Sequence, residues 1–363
     1  MADQSHPLDG MRILVITASL VIIIYGVNQA QSVVALFLVA VFLAMIGTPP
    51  VRWLERKRVP PFLAVMIVMT AMLAVLLISV VVVGTSLNTL SEDLPFYQKR
   101  ILDQVQELRA MLATKHINVT TKVLLEYLNP GSVLSLAAGL FTGMGSALSG
   151  LILVLLTVTF ILLEVSSFPI KLRSVLGDPK QVFPQFTKFL NDMKVYMIIK
   201  TIISLAAGVI LGLWLYFLGV DYPVLWGFVA FVLHFIPNLG HIIAAIPPVF
   251  LALIQLGLGP AALVAGGYLV VGFILGNVVE PRLMGRKLGL STLVVFLSLM
   301  VWGGLLGPIG VILCVPLTMS MKFAFESNPG TRWIAILLGS EKAVENMPTV
   351  LKKKIRSAEA HNK

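Results

Sequence analysis

The fold is decided by residues 221–259, which read DYPVLWGFVAFVLHFIPNLGHIIAAIPPVFLALIQLGLG. Asp, Glu, Lys and Arg are absent from residue 222 to residue 279, and they are absent again from residue 288 to residue 321. Each of these runs is longer than the roughly 20 apolar residues that a membrane-spanning helix requires. A charged side chain is costly at the centre of a bilayer, so runs of this kind predict a chain that folds inside a membrane.

Both charge-free runs are interrupted near their middles by residues that disfavour a helix. The first interruption reads FIPNLG at residues 235–240, and the second reads GGLLGPIG at residues 303–310. Proline removes a helical hydrogen bond, and glycine permits backbone shapes that other residues avoid. In lipid, the backbone groups freed in this way are tolerated only where protein or a water-filled cavity satisfies them. Broken apolar segments therefore indicate a binding or conduction path.

The composition supports this interpretation and excludes several other classes of protein. Hydrophobic residues make up 58% of the chain and charged residues 12%, about half of what a soluble domain carries. The net charge of +10 is explained by Lys and Arg in cytoplasmic loops and in the tail, which favours contact with membrane lipid rather than nucleic acid. The sequence contains neither a phosphate-binding loop nor a His-Glu-x-x-His motif, so we predict no catalytic residues, metal or cofactor.

Counting the apolar segments predicts an all-α polytopic membrane protein with about six full spans and two broken hairpins. The short loop at residues 49–61 and the tail are both basic, which places the N- and C-termini in the cytoplasm. Residues 86–132 carry charges of both signs at helical spacing and predict a small extracytoplasmic helical cap. The predicted full spans are 11–28, 31–48, 62–85, 133–163, 196–220 and 261–279. The predicted regions are 1–85 (three spans), 86–132 (cap), 133–220 (two spans with a cytoplasmic loop at 165–195), 221–326 (transport core) and 327–363 (basic cytoplasmic tail).

The broken runs at residues 222–259 and 290–321 are interpreted as hairpins of opposite orientation. Each arm has about 13–17 residues and reaches roughly 20–25 Å as a helix, less than the roughly 30 Å apolar core of a bilayer. Re-entrant hairpins that enter from opposite faces are therefore favoured, and two short tilted spans per run are the alternative. Opposed broken helices near the middle of the membrane are an arrangement that alternating-access transporters use.

Several stretches of the chain resemble the bacterial autoinducer-2 exporter family. They include GNVVEPRLMGRKLGLST at residues 276–292, WGGLLGPIG at 302–310 and VPL at 315–317, together with FIPNLG at 235–240 and AAIPP at 244–248. The likeness is collinear and covers nearly the whole chain. It implies a transporter of the bacterial inner membrane that exports autoinducer-2, a small polar quorum-sensing signal, and that forms a homo-oligomer, with a pentamer suggested. Other members of the family are associated with sodium/proton exchange.

Candidate residues for the transport path lie at the two predicted hairpin tips. Asn238 is the strongest of them, and its two possible roles are contact with the substrate path and a purely structural turn. At the second tip only the backbone offers hydrogen-bonding groups. The predicted tip residues are Pro237, Asn238, Gly240, Gly307, Pro308 and Gly310.

Candidate residues for ion coupling or gating surround the first broken hairpin. Glu280 is the acid nearest to the charge-free core, and it either couples transport to an ion or forms a surface ion pair with Arg282 or Arg286. His234 and His241 flank the first break and suggest a proton relay or a metal pair, with a structural hydrogen-bonding role as the alternative. Lys200 is predicted to extend toward the cytoplasmic surface. The full set for coupling or gating is Asn277, Glu280, Arg282, His234 and His241.

Glycines four residues apart predict faces on which membrane helices pack closely. Such pairs are Gly139 with Gly143 and Gly208 with Gly212. Two functions other than signal export stay open from the sequence: a sodium/proton antiporter that uses Glu280 or Glu164, and a membrane scaffold or regulator that acts through the cap and the tail.

Overall fold

We analysed a computed structural model, which describes residues 7–113, 150–176, 184–284, 290–328 and 330–339. Within these ranges the chain is helical and contains no strand; an isolated β-bridge joins Leu290 and Gly339. The prediction of an all-α protein is confirmed for this part of the chain.

The first part of the chain forms four helices that follow one another after short turns, and a fifth helix lies beyond a gap in the described residues. The predicted spans 31–48 and 62–85 lie inside α2 (Gln31–Arg56) and α3 (Pro61–Glu92), and α3 continues beyond the predicted end of its span. The described residues of the predicted cap therefore belong to the end of α3 and to α4. The predicted span 133–163 lies partly outside the described residues. The bounds are α1 (Pro7–Gln29), α2 (Gln31–Arg56), α3 (Pro61–Glu92), α4 (Leu94–Ala113) and α5 (Leu151–Leu176).

The second part alternates long helices with short ones. Its elements are α6 (Pro184–Leu218), α7 (Pro223–Leu233), α8 (Gly240–Leu256), α9 (Leu258–Phe273), a π-helix (Ile274–Val279), α10 (Glu280–Met284), α11 (Thr292–Ile312), α12 (Cys314–Ser327) and α13 (Arg332–Leu337).

In the described residues, five helices are long and apolar enough to cross a membrane. Shorter apolar helices include α7 and α8, which form the first broken run. The exact number of spans and the course of the two hairpins through the bilayer stay predictions. The five long segments are Gln31–Arg56, Pro61–Glu92, Phe186–Leu218, Leu258–Met284 and Thr292–Ile312.

The helices are interrupted at both places where the sequence predicts a break. Residues 234–239 separate α7 from α8, and Asn238 adopts the left-handed conformation with a φ of 60°. In the second run, Gly307 interrupts α11 with φ 62° and ψ −149°, a conformation that a residue with a side chain rarely adopts. The local sequence, with its proline and glycine residues, therefore determines where both helix breaks occur.

The chain forms two compact units, and the smaller contains Met1–Leu43 with Leu288–Lys363. In this unit α11 and α12 pack against each other, and Nε1 of Trp302 donates a hydrogen bond of 3.0 Å to Oγ1 of Thr318. The amide of Ser291 donates to the carbonyl of Leu338 at 3.2 Å. The start of α11 and the end of α13 consequently meet.

The larger unit, Ala44–Lys287, contains a closed ring of four helices. Helix α6 packs against α7 and α9, and α8 also packs against α7 and α9. Close approach of α6 and α7 depends on glycine, because a Cβ added to Gly208 would lie 2.6 Å from the carbonyl oxygen of Gly227. On the same face, a Cβ on Gly212 would lie 3.3 Å from the carbonyl oxygen of Pro223.

Side-chain hydrogen bonds join the two ends of the first broken run. Oε1 of Gln255 accepts from the amide of Asp221 at 3.1 Å, and Nε2 of Gln255 donates to the carbonyl of Gly219 at 3.2 Å. The chain therefore leaves α6 and returns at the end of α8 in the same place.

The junction of α3 and α4 packs on this same point. The Tyr97 hydroxyl donates to Oδ2 of Asp221 at 2.6 Å, and the Tyr222 hydroxyl donates to Asp93. Burial, followed by the bond to Asp221, raises the pKa of the Tyr97 hydroxyl well above its usual range, so this group remains a donor at neutral pH. The base of the broken run is therefore held by several polar bonds.

We expect Gly227→Ala to separate α6 from α7 and to destabilise the protein by roughly 1–3 kcal/mol, the usual cost of overpacking. A Cβ at this position would lie 2.8 Å from the carbonyl oxygen of Gly208, which cannot move without shifting the helix. Thermal unfolding of the purified protein in detergent measures the effect.

The matched control is Gly266→Ala in α9, where a Cβ meets no atom within 4 Å. Its melting temperature should be unchanged or slightly raised, because alanine favours a helix over glycine. Equal melting temperatures for Gly227→Ala and the unsubstituted protein would contradict the close contact of α6 with α7.

Candidate functional site

A buried ion pair joins α6 to the residue that follows the π-helix. Nζ of Lys200 lies 3.0 Å from Oε1 and 2.9 Å from Oε2 of Glu280. The side chains are 4% and 17% exposed, so water screens the pair poorly. Two charges removed from water are tolerated when each neutralises the other, whereas a single unpaired one is strongly unfavourable. Each residue of this pair therefore depends on the other.

The prediction that Lys200 extends to the cytoplasmic surface is wrong. Lys200 lies six residues after Lys194, about 9 Å further along the helix, and its side chain faces the interior of the unit. Glu280 supplies the opposite charge there, so the ammonium group needs no path to water. Glu280 accordingly pairs with Lys200 inside the protein rather than with Arg282, whereas Arg286 lies outside the described residues.

The π-helix bears directly on the position of Glu280. The buried residues of α9 recur at helical spacing and define one face, which continues to Leu275 in the π-helix. Hydrogen bonds from residue i to residue i+5 widen this turn and change the register of every side chain that follows. Glu280 comes directly after the widened turn, where its carboxylate faces α6. The buried residues of this face are Ala261, Val264, Tyr268, Gly272 and Leu275.

Other predicted coupling residues lie on different surfaces. Asn277 and Arg282 are exposed and do not join the ion pair. His234 is 6% exposed at the end of α7, and His241 is half-buried at the start of α8. Both imidazoles lie within electrostatic range of the Lys200 ammonium. The structure therefore brings His234, His241, Lys200 and Glu280 into one region and leaves Asn277 and Arg282 outside it.

His241 rests directly on α9. A Cβ added to Gly272 would lie 2.5 Å from Cγ and Cδ2 of the His241 ring, so only glycine leaves room for it. Tyr268 lies one turn earlier on the same buried face of α9. The corner between α7 and α8 is therefore seated against the middle of the charge-free helix α9.

Several buried polar atoms in this unit have no hydrogen-bond partner among the described residues. They are Oγ of Ser204, Nε1 of Trp226, Nε2 of His234 and the hydroxyl of Tyr268. Leaving a buried polar group unpaired costs about 1–3 kcal/mol, and native proteins contain few of them. Their concentration in one four-helix ring marks this interior as the candidate functional site.

The register of α6 against its neighbours orders these groups along one axis. Gly212 faces Pro223, and Gly208 faces Gly227 and Phe231, so α6 and α7 run antiparallel. One more step of four residues brings Ser204 to the end of α7, where His234 lies. Lys200 is a further turn along α6 and meets Glu280.

The predicted tip residues differ in their surroundings. Asn238 is exposed, Pro237 is half-buried, and Gly240 is buried so tightly that a Cβ would lie 1.9 Å from the carbonyl oxygen of Leu233. At the second tip, Pro308 is exposed and Gly310 is buried against the carbonyl of Trp302. Gly139 and Gly143, predicted for helix packing, lie outside the described residues. Among the residues that are described, no three His, Cys, Asp or Glu side chains are grouped so that they could hold a metal ion.

The described residues combine long apolar helices, broken helical runs and charges buried between helices, which are features of membrane transporters. Comparison with known proteins specifies the class further. The family model for the AI-2E family transporter matches residues 14–329, and the chain belongs to this family. The family membership that the sequence motifs predicted is confirmed.

Several relatives align with the chain over most of its length. It is 39% identical to the AI-2 transport protein TqsA of Escherichia coli over 93% of this chain and 98% of that protein. It is 36% identical to the putative transport protein YhhT of Escherichia coli, over 93% of this chain and 97% of that protein. A putative transport protein of Haemophilus influenzae is 34% identical over 90% of this chain and 96% of its own length.

Sequence reasoning missed Lys200 and Ser204 as members of the site. A signal for Lys200 was present, because it is the only charged residue between Lys194 and Asp221. Ser204 carried no such signal, since a serine inside an apolar helix usually bonds to its own backbone.

We expect Lys200→Met to destabilise the protein by about 3–5 kcal/mol, because it leaves the Glu280 carboxylate buried without its partner. The double variant Lys200→Met with Glu280→Met should recover most of that loss, since replacing a buried pair by apolar residues is often neutral. Melting temperatures of the two variants in detergent provide the comparison. Additive losses in the double variant would show that the two side chains do not stabilise each other.

Proposed function

We propose that this protein is a secondary transporter that exports autoinducer-2 across the bacterial inner membrane. Its likeness to a relative named for AI-2 transport, across 98% of that relative, supports the choice of substrate. The observation that carries the transport mechanism is a broken helical run whose corner adjoins a buried ion pair and unpaired polar groups. Such a break supplies both a hinge and polar groups within an apolar segment.

In the proposed mechanism, the corner between α7 and α8 acts as a gate. The base of the run is fixed by Gln255, Tyr97 and Tyr222, whereas the corner contains no helix for six residues. Movement is therefore expected to concentrate at the corner, with Asn238 as its pivot. The second broken run would bend in a similar way at Gly307, where the backbone leaves the helical conformation.

Further parts of the proposal concern the setting of the protein. We infer that the chain assembles as a homo-oligomer in the inner membrane, with both termini in the cytoplasm and membrane lipid around its apolar faces. The basic segment 49–61 and the basic tail support this orientation. We infer no catalytic activity, since its relatives are named as transport proteins.

We expect Asn238→Ala to reduce efflux of autoinducer-2 about tenfold, whereas Asn238→Gly retains most of it. The left-handed conformation costs alanine roughly 1–2 kcal/mol, and glycine adopts it freely. Efflux from liposomes that contain the purified protein and trapped autoinducer-2 measures the difference.

The pair of variants also separates the two roles considered for Asn238. Equal loss in Asn238→Ala and Asn238→Gly would assign the role to the side-chain amide in the substrate path. Full activity in both variants would refute the gate at this corner, and no saturable efflux from the unsubstituted protein would refute the export function.

A sodium/proton antiporter is the second candidate, and the buried carboxylate of Glu280 favours it. Sodium could bind the Glu280 carboxylate in place of the Lys200 ammonium, which would then release one proton and become a neutral amine, so that one sodium ion is exchanged for one proton. This candidate predicts that a sodium gradient drives proton movement in liposomes without autoinducer-2. The movement should be lost in the neutral double variant Lys200→Gln with Glu280→Gln. Absence of proton movement in the unsubstituted protein would exclude the antiporter.

A further inference from the structure

We propose that Lys200, Glu280, Ser204 and His234 form a binding site for a neutral molecule that carries several hydroxyl groups. The site lies inside the ring of α6, α7, α8 and α9. This inference rests on the proposed function, because it identifies where the transported molecule would bind. It also makes a separate claim, since the chemistry of these four residues selects a class of ligand whether or not autoinducer-2 is that ligand.

The first support comes from the unpaired polar atoms. Oγ of Ser204 is fully buried and Nε2 of His234 belongs to a residue that is 6% exposed, yet neither has a hydrogen-bond partner among the described residues. A serine in a helix can usually donate to the carbonyl four residues earlier. Thr201, on the same helix, does so at 2.8 Å from the carbonyl oxygen of Met197. Ser204 thus keeps its hydroxyl available toward the interior.

The second support is the remaining hydrogen-bonding capacity of the ion pair. Both hydrogen bonds of the Lys200 ammonium go to Glu280. An ammonium group has three N–H donors, so one donor remains, and each carboxylate oxygen keeps an unused lone pair. The ion pair can therefore donate and accept at once while it stays intact.

These groups are close enough together to bind one small molecule. Lys200 and Ser204 are four residues apart on α6, which places them on one face about one helical turn apart, roughly 5–6 Å. The antiparallel register of α6 and α7 brings His234 to the level of Ser204. Tyr268 is excluded from this site by the same reasoning. Trp214 on α6 contacts Gly267 and the carbonyl of Leu263 on α9, so Tyr268 lies near the level of Leu211 on α6. Leu211 is about 10 Å from Ser204 along the helix axis.

The charge balance selects the chemistry of the ligand. Lys200 and Glu280 neutralise each other, so an ionic ligand would leave a net charge inside an apolar ring. A hydroxyl group both donates and accepts, which matches an ammonium, a carboxylate, a serine hydroxyl and an imidazole in the same small volume. A compact polyol or hydrated sugar-like molecule therefore fits better than an amino acid, an organic acid or an amine.

Access to the site follows from its position beside the break. His234 directly follows the last residue of α7, and neither it nor the next five residues form an α-helix. Opening of this corner would move His234 away from Ser204. The ligand would thus enter or leave when the corner opens, and closure would return the imidazole to it.

The test uses the full-length protein in lipid nanodiscs, titrated calorimetrically with autoinducer-2 and, separately, with xylitol as a neutral polyol. We expect Ser204→Ala to weaken binding about tenfold, the effect of one lost hydrogen bond. His234→Leu should weaken it by a similar factor. Thr201→Val is the matched control, because it removes from the same helix a hydroxyl that donates to a carbonyl of that helix. The Kd of this variant should not change.

The melting temperature of each variant, measured without ligand, distinguishes weaker binding from a folding defect. Ser204→Ala should melt at the same or a higher temperature than the unsubstituted protein, because it removes an unpaired buried hydroxyl. A lower melting temperature would assign Ser204 a structural role and overturn the site.

The site and the proposed export function fail in different ways. Binding of xylitol that depends on Ser204, without any efflux of autoinducer-2, supports the site and refutes the export function. Saturable efflux of autoinducer-2 with unchanged Kd in Ser204→Ala and His234→Leu refutes the site and leaves the export function standing. The site is also overturned if neither autoinducer-2 nor xylitol binds to the unsubstituted protein.

Discussion

The ion pair between Lys200 and Glu280 is the interaction on which the larger unit depends. It joins two residues 80 positions apart, and it lies where α6 meets the end of the charge-free run. Because both charges are withdrawn from water, neither side chain can leave without a large cost to the other. The pair therefore holds α6 against the start of α10, and α7, α8 and α9 complete the ring with α6. A rigid, charge-balanced end is thus built into an otherwise apolar assembly.

Polar bonds and glycine contacts stabilise different parts of this ring. At one end, Gln255, Tyr97 and Tyr222 hold the base of the broken run through side-chain hydrogen bonds. Along its length, Gly208 and Gly227 let α6 and α7 approach until side chains would collide with backbone. The corner at residues 234–239 forms no regular helix, although His241 beside it packs on Gly272. A fixed base with an irregular corner suits a gate, since bending at the corner breaks no regular helical hydrogen bonds.

Family membership and substrate choice rest on different evidence. The chain aligns with relatives that share its length, and the names of these relatives agree on transport. One of them is named for AI-2, whereas others are named only as putative transport proteins at nearly the same identity. Overall likeness therefore identifies a transporter and supports one substrate, and the chemistry of the site supplies an independent criterion for the ligand. A charge-neutral group of donors and acceptors within one helical turn is a chemical criterion of that kind.

The sequence alone determined the all-helical class, the membrane setting, the family and the positions of both helix breaks. These are local properties, because apolar runs, prolines and glycines act on the backbone within a few residues. Only the tertiary structure decided three further features, namely the pairing of Lys200 with Glu280, the unpaired state of Ser204 and the packing of His241 on Gly272. Each depends on the register between helices far apart in the chain, and the π-helix changes that register just before Glu280. Charge and hydropathy along a sequence do not reveal such a shift, because they do not report which side chains meet when helices far apart in the chain pack together.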